Sequence, residues 1–398
     1  MTLSSPCAIH TIAVRAVDRF PVQSAEIAAF AIDDPRAGDR IPGRGLEING
    51  WVIGRGESVV GVRTVSPHAI SRNYPLEVRR PDVAADYPEI PSAGASGFSF
   101  WSPVDSGPEE HPWDFTIEAV LDSGRTIPLA KVQGAALLER RPSQPGHRPV
   151  FGPDFAIMGT QRGGTTSLHA YLSAHPLVAT PATKELHFLT DRYGRGPDWY
   201  AGQFPSSLPA GALTGEATPY AIFHPRSPHR LLEVAPAASI IVLLRNPVDR
   251  AYSHYRLERS RGHEPLSFAE ALAAEQTRLA GEEQRLVADD TYVSHMHNHA
   301  SYLSRGDYAP QLERWFNAFP REQFLILRSE DLYERPAETF DRVTSFLGLP
   351  SITADSFTAH NRTEGPPLDE TIRGRLETQF APRNRRLAAL VGWDSAWI

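Results

Sequence analysis

The first 140 residues alternate between short runs of apolar residues and clusters of turn-forming residues. Runs rich in β-branched and aromatic residues occupy residues 50–54, 59–62, 97–101 and 115–120. Pro and Gly separate these runs at short intervals, which is typical of many short strands joined by turns. We therefore predict a smaller all-β, sandwich-like domain over residues 1–140.

The pattern changes after a polar stretch with three prolines at residues 141–150, which we interpret as a linker. Uninterrupted apolar runs at residues 155–158, 239–244 and 324–327 then indicate strands buried on both faces. Helical patterns cover residues 167–174, 249–259, 266–285, 306–319, 336–347 and 369–391. Strands that alternate with helices predict an α/β domain over residues 151–398, with a largely parallel, P-loop-like sheet flanked by helices.

Composition narrows the function classes. The 398 residues suit two domains. Asp and Glu (47) outnumber Lys and Arg (40), which gives a formal net charge of -7 and argues against a nucleic-acid partner. The single cysteine, Cys7, excludes an intrachain disulfide. Because no long apolar run is present, we expect no membrane span and no signal peptide, and a cytoplasmic protein.

A glycine-rich turn at residues 159–166 is the strongest chemical signal in the sequence. It follows an apolar strand and opens a helix, so its backbone amides and the helix N-terminus favour an anion. The candidate phosphate ligands in this turn are Arg162, Gly163, Gly164, Thr165 and Thr166. The alternative interpretation is a plain glycine-rich turn without a ligand.

The rest of the pattern disfavours a nucleotide triphosphatase or kinase. Thr165 stands where such a loop requires Lys, and the best apolar strand ends in Arg245 rather than in a magnesium-binding Asp. Arg245 at the strand end and Ser253 on the following helix could together hold a further phosphate. Arg245 could equally form an ion pair on a surface loop.

Three segments in this order resemble a known family. They are Gln-Arg-Gly-Gly-Thr-Thr-Ser-Leu at 161–168, Lys-Glu-Leu-His-Phe at 184–188 and Arg-Asn-Pro-Val-Asp-Arg-Ala-Tyr-Ser at 245–253. Together they resemble the sulfotransferases that use 3′-phosphoadenosine 5′-phosphosulfate (PAPS), and most of all the branch with heparan sulfate N- and 3-O-sulfotransferases and bacterial relatives. The resemblance covers about residues 150–398.

The resemblance implies an enzyme that transfers a sulfuryl group from PAPS to a hydroxyl or amine of a glycan or glycoside, without a metal. Residues 162–166 would hold the 5′-phosphosulfate end, and Arg245 and Ser253 would hold the 3′-phosphate. A late loop with Arg362 and Thr363 would close over the nucleotide. Glu185 would be the catalytic base; His187 would contact the acceptor and is the alternative base.

Two positions depart from the family pattern. Arg162 replaces the usual loop lysine, and Ala217 stands where the glycan branch has a second lysine. Arginine is effectively always protonated, so Arg162 can stabilise charge but cannot readily release a proton. A non-catalytic glycan-binding homologue with a degenerate nucleotide site therefore stays an alternative, beside a P-loop kinase.

Two further features allow more than one interpretation. His295, His297 and His299 alternate along a predicted loop, but no carboxylate partner is evident in the sequence, so we expect no metal there. Trp51, Trp101, Trp113 and Phe98 could form a sugar-stacking face, although aromatic residues in β domains usually belong to the core.

Overall fold

The alternating pattern of the first 140 residues produces antiparallel strands. In the computed structural model the described residues are 8–21, 26–66, 69–104, 110–140, 146–352, 366–394 and 397. They divide into two compact units, Met1–Pro142 with Arg195–Gly202, and Ser143–Gly194 with Gln203–Ile398. Residues 141–145 of the predicted linker lie outside the described residues, and part of its remainder forms a short strand.

The elements of the first unit, apart from one later helix, are β1 (Ala8–Arg19), β2 (Ile27–Asp34), β3 (Arg40–Pro42), β4 (Gly45–Gly54), β5 (Val59–Ser66), β6 (Ala69–Pro75), α1 (Pro81–Asp86), β7 (Gly97–Pro103), β8 (His111–Leu121) and β9 (Thr126–Arg140). One antiparallel sheet has the order β3-β1-β9-β8-β5-β6, and a second has the order β2-β4-β7. All four predicted β runs are strands.

One hydrophobic core joins the two sheets of the first unit. Along β8, burial alternates residue by residue, so that Trp113, Phe115 and Ile117 point inward. Ile48 and Phe98 from the smaller sheet belong to the same buried cluster. Trp113 and Phe98 are therefore core residues.

The remaining strands are β10 (His147–Pro149), β11 (Phe155–Gly159), β12 (Val178–Ala179), β13 (Ser207–Pro209), β14 (Leu213–Ala217), β15 (Ser239–Leu244) and β16 (Phe324–Arg328). The remaining helices are α2 (Thr165–Ser173), α3 (Gly196–Gly202), α4 (Ser227–Val234), α5 (Pro247–Ser260), α6 (Phe268–Leu279), α7 (Glu282–Ala288), α8 (His295–His299), α9 (Tyr308–Phe316), α10 (Ser329–Glu334), α11 (Pro336–Phe346) and α12 (Glu370–Val391). Short 3-10 turns occur at Ala93–Ala95, Tyr193–Arg195, Pro219–Ile222, Ser304–Gly306 and Arg321–Gln323.

The second unit is built on a parallel sheet with the order β12-β14-β11-β15-β16. Every residue of β11 is buried, and β15 is buried from its second residue onward, as their uninterrupted apolar runs predicted. The short strand β14 was not predicted, because its sequence Leu-Thr-Gly-Glu-Ala lacks an apolar run. Helix α5 begins as expected: Pro247 occupies its first turn, and the Asn246 side chain accepts from the amide of Val248 at 2.9 Å.

One predicted helix, residues 266–285, is two helices. Helix α6 ends at Leu279 and α7 begins at Glu282. Between them Gly281 adopts a left-handed conformation with φ of 79°, which a continuing helix does not allow. The prediction of a single helix was therefore wrong.

Helix α3, although late in sequence, belongs to the first unit. His10 Nδ1 lies 2.7 Å from a carboxylate oxygen of Asp198, and Arg195 donates to Glu47 at 2.8 Å. Gly43 has no room for a side chain, because a Cβ there would lie 2.8 Å from the Cβ of Trp199. The first unit is therefore discontinuous in sequence.

Candidate active site

The candidate site lies at one edge of the parallel sheet. The segments that follow β12, β14, β11, β15 and β16 all leave the sheet at its carboxyl edge, where ligands bind in open α/β sheets. This arrangement brings together segments that are far apart in sequence, including the glycine-rich turn and Arg245. The loop with Glu185 joins them through the amide of His187, which lies 3.4 Å from the Thr218 hydroxyl after β14.

The glycine-rich turn connects β11 to α2 and is fixed by backbone contacts. The amide of Thr160 donates to the carbonyl of Leu243 on β15 at 2.8 Å, and the Ser329 hydroxyl donates to the carbonyl of Gly163 at 2.6 Å. A Cβ on Gly163 would lie 2.7 Å from the Leu243 carbonyl oxygen. Gly164 caps α2 with φ of 91°. Both glycines are therefore required by the shape of the turn.

Positively charged side chains gather around this turn. Arg162 Nε donates to the Ser253 hydroxyl at 2.9 Å, and Arg245 donates to the carbonyl of Arg162 at 3.1 Å. The pKa of Arg162 is lowered, first by burial and then by the positive charge of Arg245. Within the described part of the chain, no carboxylate oxygen lies within 4.0 Å of the Arg245 guanidinium. An anion bound here would relieve the repulsion between the two guanidinium groups.

Arg305, which the sequence analysis did not select, supports the turn from inside. Its guanidinium is fully buried, donates to the side chain of Gln161, and also donates to the carbonyls of His297 and Asn298 at 2.9 and 2.8 Å. Burial lowers its pKa to about 10, so it stays charged at neutral pH. Arg305 thus links the phosphate turn to α8.

Glu185 and His187 lie together on the loop that follows β12. Lys184 Nζ donates to Glu185 Oε1 at 2.6 Å, while His187 Nε2 lies 3.6 Å from Glu185 Oε2. Burial would raise the pKa of Glu185, but His187 and the Lys184 ammonium outweigh it and lower the pKa to about 2. The carboxylate is therefore ionised at neutral pH.

Asp191 completes this group on the far side of the imidazole. Its carboxylate lies 3.6 Å from His187 Nδ1, which is also 3.2 Å from the Thr190 hydroxyl. Burial raises the pKa of Asp191. The imidazole of His187 is thus placed between two carboxylates. The spacing of four residues between His187 and Asp191 was the available sequence signal, and it is too common to single out a site.

Backbone strain concentrates at the three residues predicted to be catalytic. Arg162, Glu185 and His187 have φ of 71°, 61° and 55°. Such values cost about 1–3 kcal/mol each in residues other than glycine. In the described residues the fourth non-glycine residue with positive φ is Trp397, near the C-terminus. Strain of this kind typically accompanies side chains held for function.

Two pairs of predicted site residues remain, one at the start of α2 and one late in the chain. Thr165 and Thr166 open α2 beside the turn. Ala217, which stands where the family pattern has a second lysine, ends β14 and is fully buried. Arg362 and Thr363 lie outside the described residues, so their predicted closure over the nucleotide stays a prediction.

In the described chain, no helix combines the length and apolarity needed to cross a bilayer.

Comparisons with known proteins show which family this chain resembles. A family model described as a sulfotransferase domain matches residues 152–364. The chain is 29% identical over 313 residues to the membrane-associated sulfotransferase kil1 of Dictyostelium discoideum, covering 62% of this chain and 66% of that protein. The match therefore spans slightly less than two thirds of that relative's length.

A second relative and a solved structure are also similar to this chain. Identity to heparan sulfate glucosamine 3-O-sulfotransferase 6 of Mus musculus is 30% over 279 residues, covering 64% of this chain and 76% of that protein. A crystal structure of a sulfotransferase from Alicyclobacillus acidocaldarius superposes with a TM-score of 0.51 and 30% identity, covering 61% of this chain and 96% of that one.

Proposed function

The chain belongs to the sulfotransferase family, and from that premise we propose that it transfers a sulfuryl group from PAPS to a hydroxyl or amine of a glycan or glycoside, with Glu185 as the general base. The glycan class of acceptor is supported by relatives named as heparan sulfate sulfotransferases. The family membership makes the alternative P-loop kinase the weaker candidate.

The observation that carries the proposal is the cluster of guanidinium groups around the glycine-rich turn. Arg162 belongs to the turn, and the Arg245 guanidinium donates to the carbonyl of Arg162. In the described residues, no carboxylate lies within 4.0 Å of the Arg245 guanidinium. The turn itself excludes a Cβ at Gly163 and presents the N-terminus of α2. A ligand with several phosphate-like groups fits these features.

The donor's two ends would bind neighbouring parts of this edge. Gly163, Gly164 and the threonines at the start of α2 would hold the 5′-phosphosulfate, because helix N-termini bind anions through amides and hydroxyls. Arg245 and Ser253 would hold the 3′-phosphate. When bound, PAPS supplies the sulfuryl group and a bisphosphate leaving group.

The residues of this chain would then have separate tasks. The acceptor oxygen forms a bond to sulfur as the bond from sulfur to the bridging oxygen breaks, and the acceptor proton passes to Glu185. Arg162 stabilises negative charge on the departing phosphate without giving up a proton. Positioning and charge stabilisation supply most of the acceleration in transfers of this type.

The geometry distinguishes the two oxygens of Glu185. Oε1 is occupied by the Lys184 ammonium, whereas Oε2 lies 3.6 Å from His187, beyond hydrogen-bond distance. We assign Oε2 as the atom that accepts the acceptor's proton. His187, held between Glu185 and Asp191, orients the acceptor and is the alternative base.

Lys184 is unusual for this chain. Of its 40 Lys and Arg residues, 2 are lysines, Lys131 and Lys184. One of these two therefore lies directly beside the proposed base, although Arg162 and Ala217 replace the lysines expected elsewhere. The pKa of Glu185 is lowered by His187 and by the Lys184 ammonium, and we propose that Lys184 thereby keeps the carboxylate ionised in acid solution.

Two measurements test the function. Calorimetry in the presence of a chelator should show that the protein binds adenosine 3′,5′-bisphosphate, and that it binds ATP with lower affinity. Labelled sulfate should be transferred from PAPS to members of an oligosaccharide panel. Bisphosphate binding without any transfer would favour the non-catalytic glycan-binding alternative, and absence of bisphosphate binding would refute the donor assignment.

A further inference from the structure

A cluster of histidines surrounds a buried carboxylate at the end of α5, outside the candidate active site. Glu258 is fully buried, and its Oε2 lies 2.9 Å from Nδ1 of His263 and 2.9 Å from Nδ1 of His299. The three ligand atoms all lie within 4.8 Å of one another. The ring of His295 lies close by, with centroid distances of 4.5 Å to His299 and 5.5 Å to His263.

We propose that Glu258, His263 and His299 bind a divalent transition-metal ion of the zinc class, with His295 or water in the fourth position. Imidazole nitrogen and carboxylate oxygen are common zinc ligands, with bonds of about 2.0–2.2 Å. Such bonds place neighbouring ligand atoms roughly 3–3.5 Å apart, so the 2.9 Å contacts need only a small adjustment. This inference goes beyond the proposed function and does not depend on it.

A hydrogen-bonded cluster without metal accounts less well for the same atoms. It requires two imidazole N–H groups to donate to the single oxygen Oε2, while Oε1 of Glu258 is buried without a hydrogen bond in the described residues. Both ring nitrogens of His254, also fully buried, lack a hydrogen bond there as well. A metal on Oε2 would leave Oε1 free to accept from His254 Nε2, 3.5 Å away, as the second contact that orients metal-bound carboxylates.

No metal was expected at residues 295–299, because no carboxylate accompanies these histidines in the sequence. The structure brings Glu258 to His299 from a separate helix, 41 residues earlier in the chain. The metal would therefore join α5 to α8. Since Arg305 contacts the carbonyls of His297 and Asn298, the ion would also stabilise the segment that supports the phosphate turn.

The site is open on one side. His263 retains 38% of its side-chain exposure and His299 retains 24%, whereas Glu258 is inaccessible. An ion can therefore enter from solvent, and His263 can be replaced with little disturbance of packing. His263 and His299 are therefore better positions for substitution than the buried Glu258.

The test is metal binding by the full-length chain, prepared without a histidine tag and dialysed against a chelator. Titration with Zn²⁺ against a chromophoric competitor should give one equivalent per chain, and Co²⁺ should give the visible absorption of a low-coordinate site. The double variant His263→Ala/His299→Ala should bind Zn²⁺ more than about 100-fold more weakly, because loss of even an outer partner of a metal ligand costs about 10–100-fold. Zn²⁺ should also raise the melting temperature of the unsubstituted protein but not of this variant.

The matched control is His229→Ala, because His229 is exposed on α4, away from the cluster. It should bind Zn²⁺ as the unsubstituted protein does. The proposal is overturned if the unsubstituted chain binds no stoichiometric Zn²⁺, or if the double variant binds it with the same affinity. Circular dichroism of the double variant separates loss of the ligands from loss of the fold.

Discussion

The phosphate turn and the Glu185 loop are neighbours that are held in place by different means. The turn at residues 159–164 is fixed through its backbone, by contacts to Leu243 and Ser329 and by glycines that exclude a Cβ. The Glu185 loop follows a strand of two residues and is held by contacts between its side chains. Two of its residues, Glu185 and His187, have left-handed backbone conformations. Binding of the donor should therefore be sensitive to added volume, and catalysis should be sensitive to charge.

The largest effect is expected on the Glu185 side. Glu185→Gln keeps the shape but removes the base, and loss of a general base costs about 10²–10⁴-fold in turnover. The affinity for adenosine 3′,5′-bisphosphate should stay unchanged, as measured by calorimetry beside the transfer assay. Glu377→Gln, on the exposed face of α12, is the control. Near-normal turnover of Glu185→Gln would transfer the base role to His187.

On the phosphate side, Arg245→Ala should weaken bisphosphate binding, whereas Glu185→Gln lowers turnover and leaves binding unchanged. Losing a charge-assisted hydrogen bond costs about 1.5–3 kcal/mol, which weakens bisphosphate binding roughly 10- to 150-fold. Because Arg245 is assigned to the 3′-phosphate, affinity for adenosine 5′-monophosphate should hardly change. The exposed Arg375→Ala serves as the control. An equal loss for both nucleotides would contradict the assignment.

A matched pair of glycine substitutions tests whether backbone shape holds the turn. In Gly163→Ala the new Cβ would lie 2.7 Å and 2.9 Å from two carbonyl oxygens, so we expect a loss of about 1–3 kcal/mol in the free energy of unfolding and weaker nucleotide binding. Gly374→Ala in α12 meets nothing within 4 Å and should gain up to about 1 kcal/mol. Urea unfolding measures both. Equal stability of the two variants would show that the turn tolerates volume.

The smallest effect at neutral pH is expected for Lys184→Met. The pKa of Glu185 is lowered to about 2, so the base is ionised above that pH and activity falls only in strong acid. His187 also lowers this pKa and stays in the variant, so without the ammonium the pKa rises only part of the way, and the acid limb of kcat/KM moves to higher pH. Lys184→Arg retains the charge and should keep the limb low. An unmoved limb in Lys184→Met would show that Lys184 does not set this pKa.

Apolar runs predicted the buried strands β11, β15 and β16 because most strands buried on both faces are near-continuous apolar runs. The same reasoning missed β14, whose buried Glu216 accepts from the Thr218 hydroxyl at 2.7 Å. A paired polar residue can be fully buried without leaving an apolar signature. The helix predicted over residues 266–285 is likewise divided at Gly281. A glycine in the sequence does not by itself end a helix, so the left-handed conformation of Gly281 could not be predicted.

The candidate site was predictable where one segment carries the chemistry. Arg162, Gly163 and Gly164 are adjacent in sequence, and their turn follows a recognisable strand. Asp191 and Arg305 were missed because their roles depend on contacts made by folding. Arg305 meets Gln161 across 144 residues, and no local pattern indicates such a pairing.

Helix α3 has a consequence for synthesis on the ribosome. When residue 142 has been added, the nascent chain still lacks Asp198 and Trp199, which face His10 and Gly43. The phosphate turn and helix α2 must be translated before the β-rich unit can receive its last helix. A fragment cut at residue 142 would therefore lack part of its own unit.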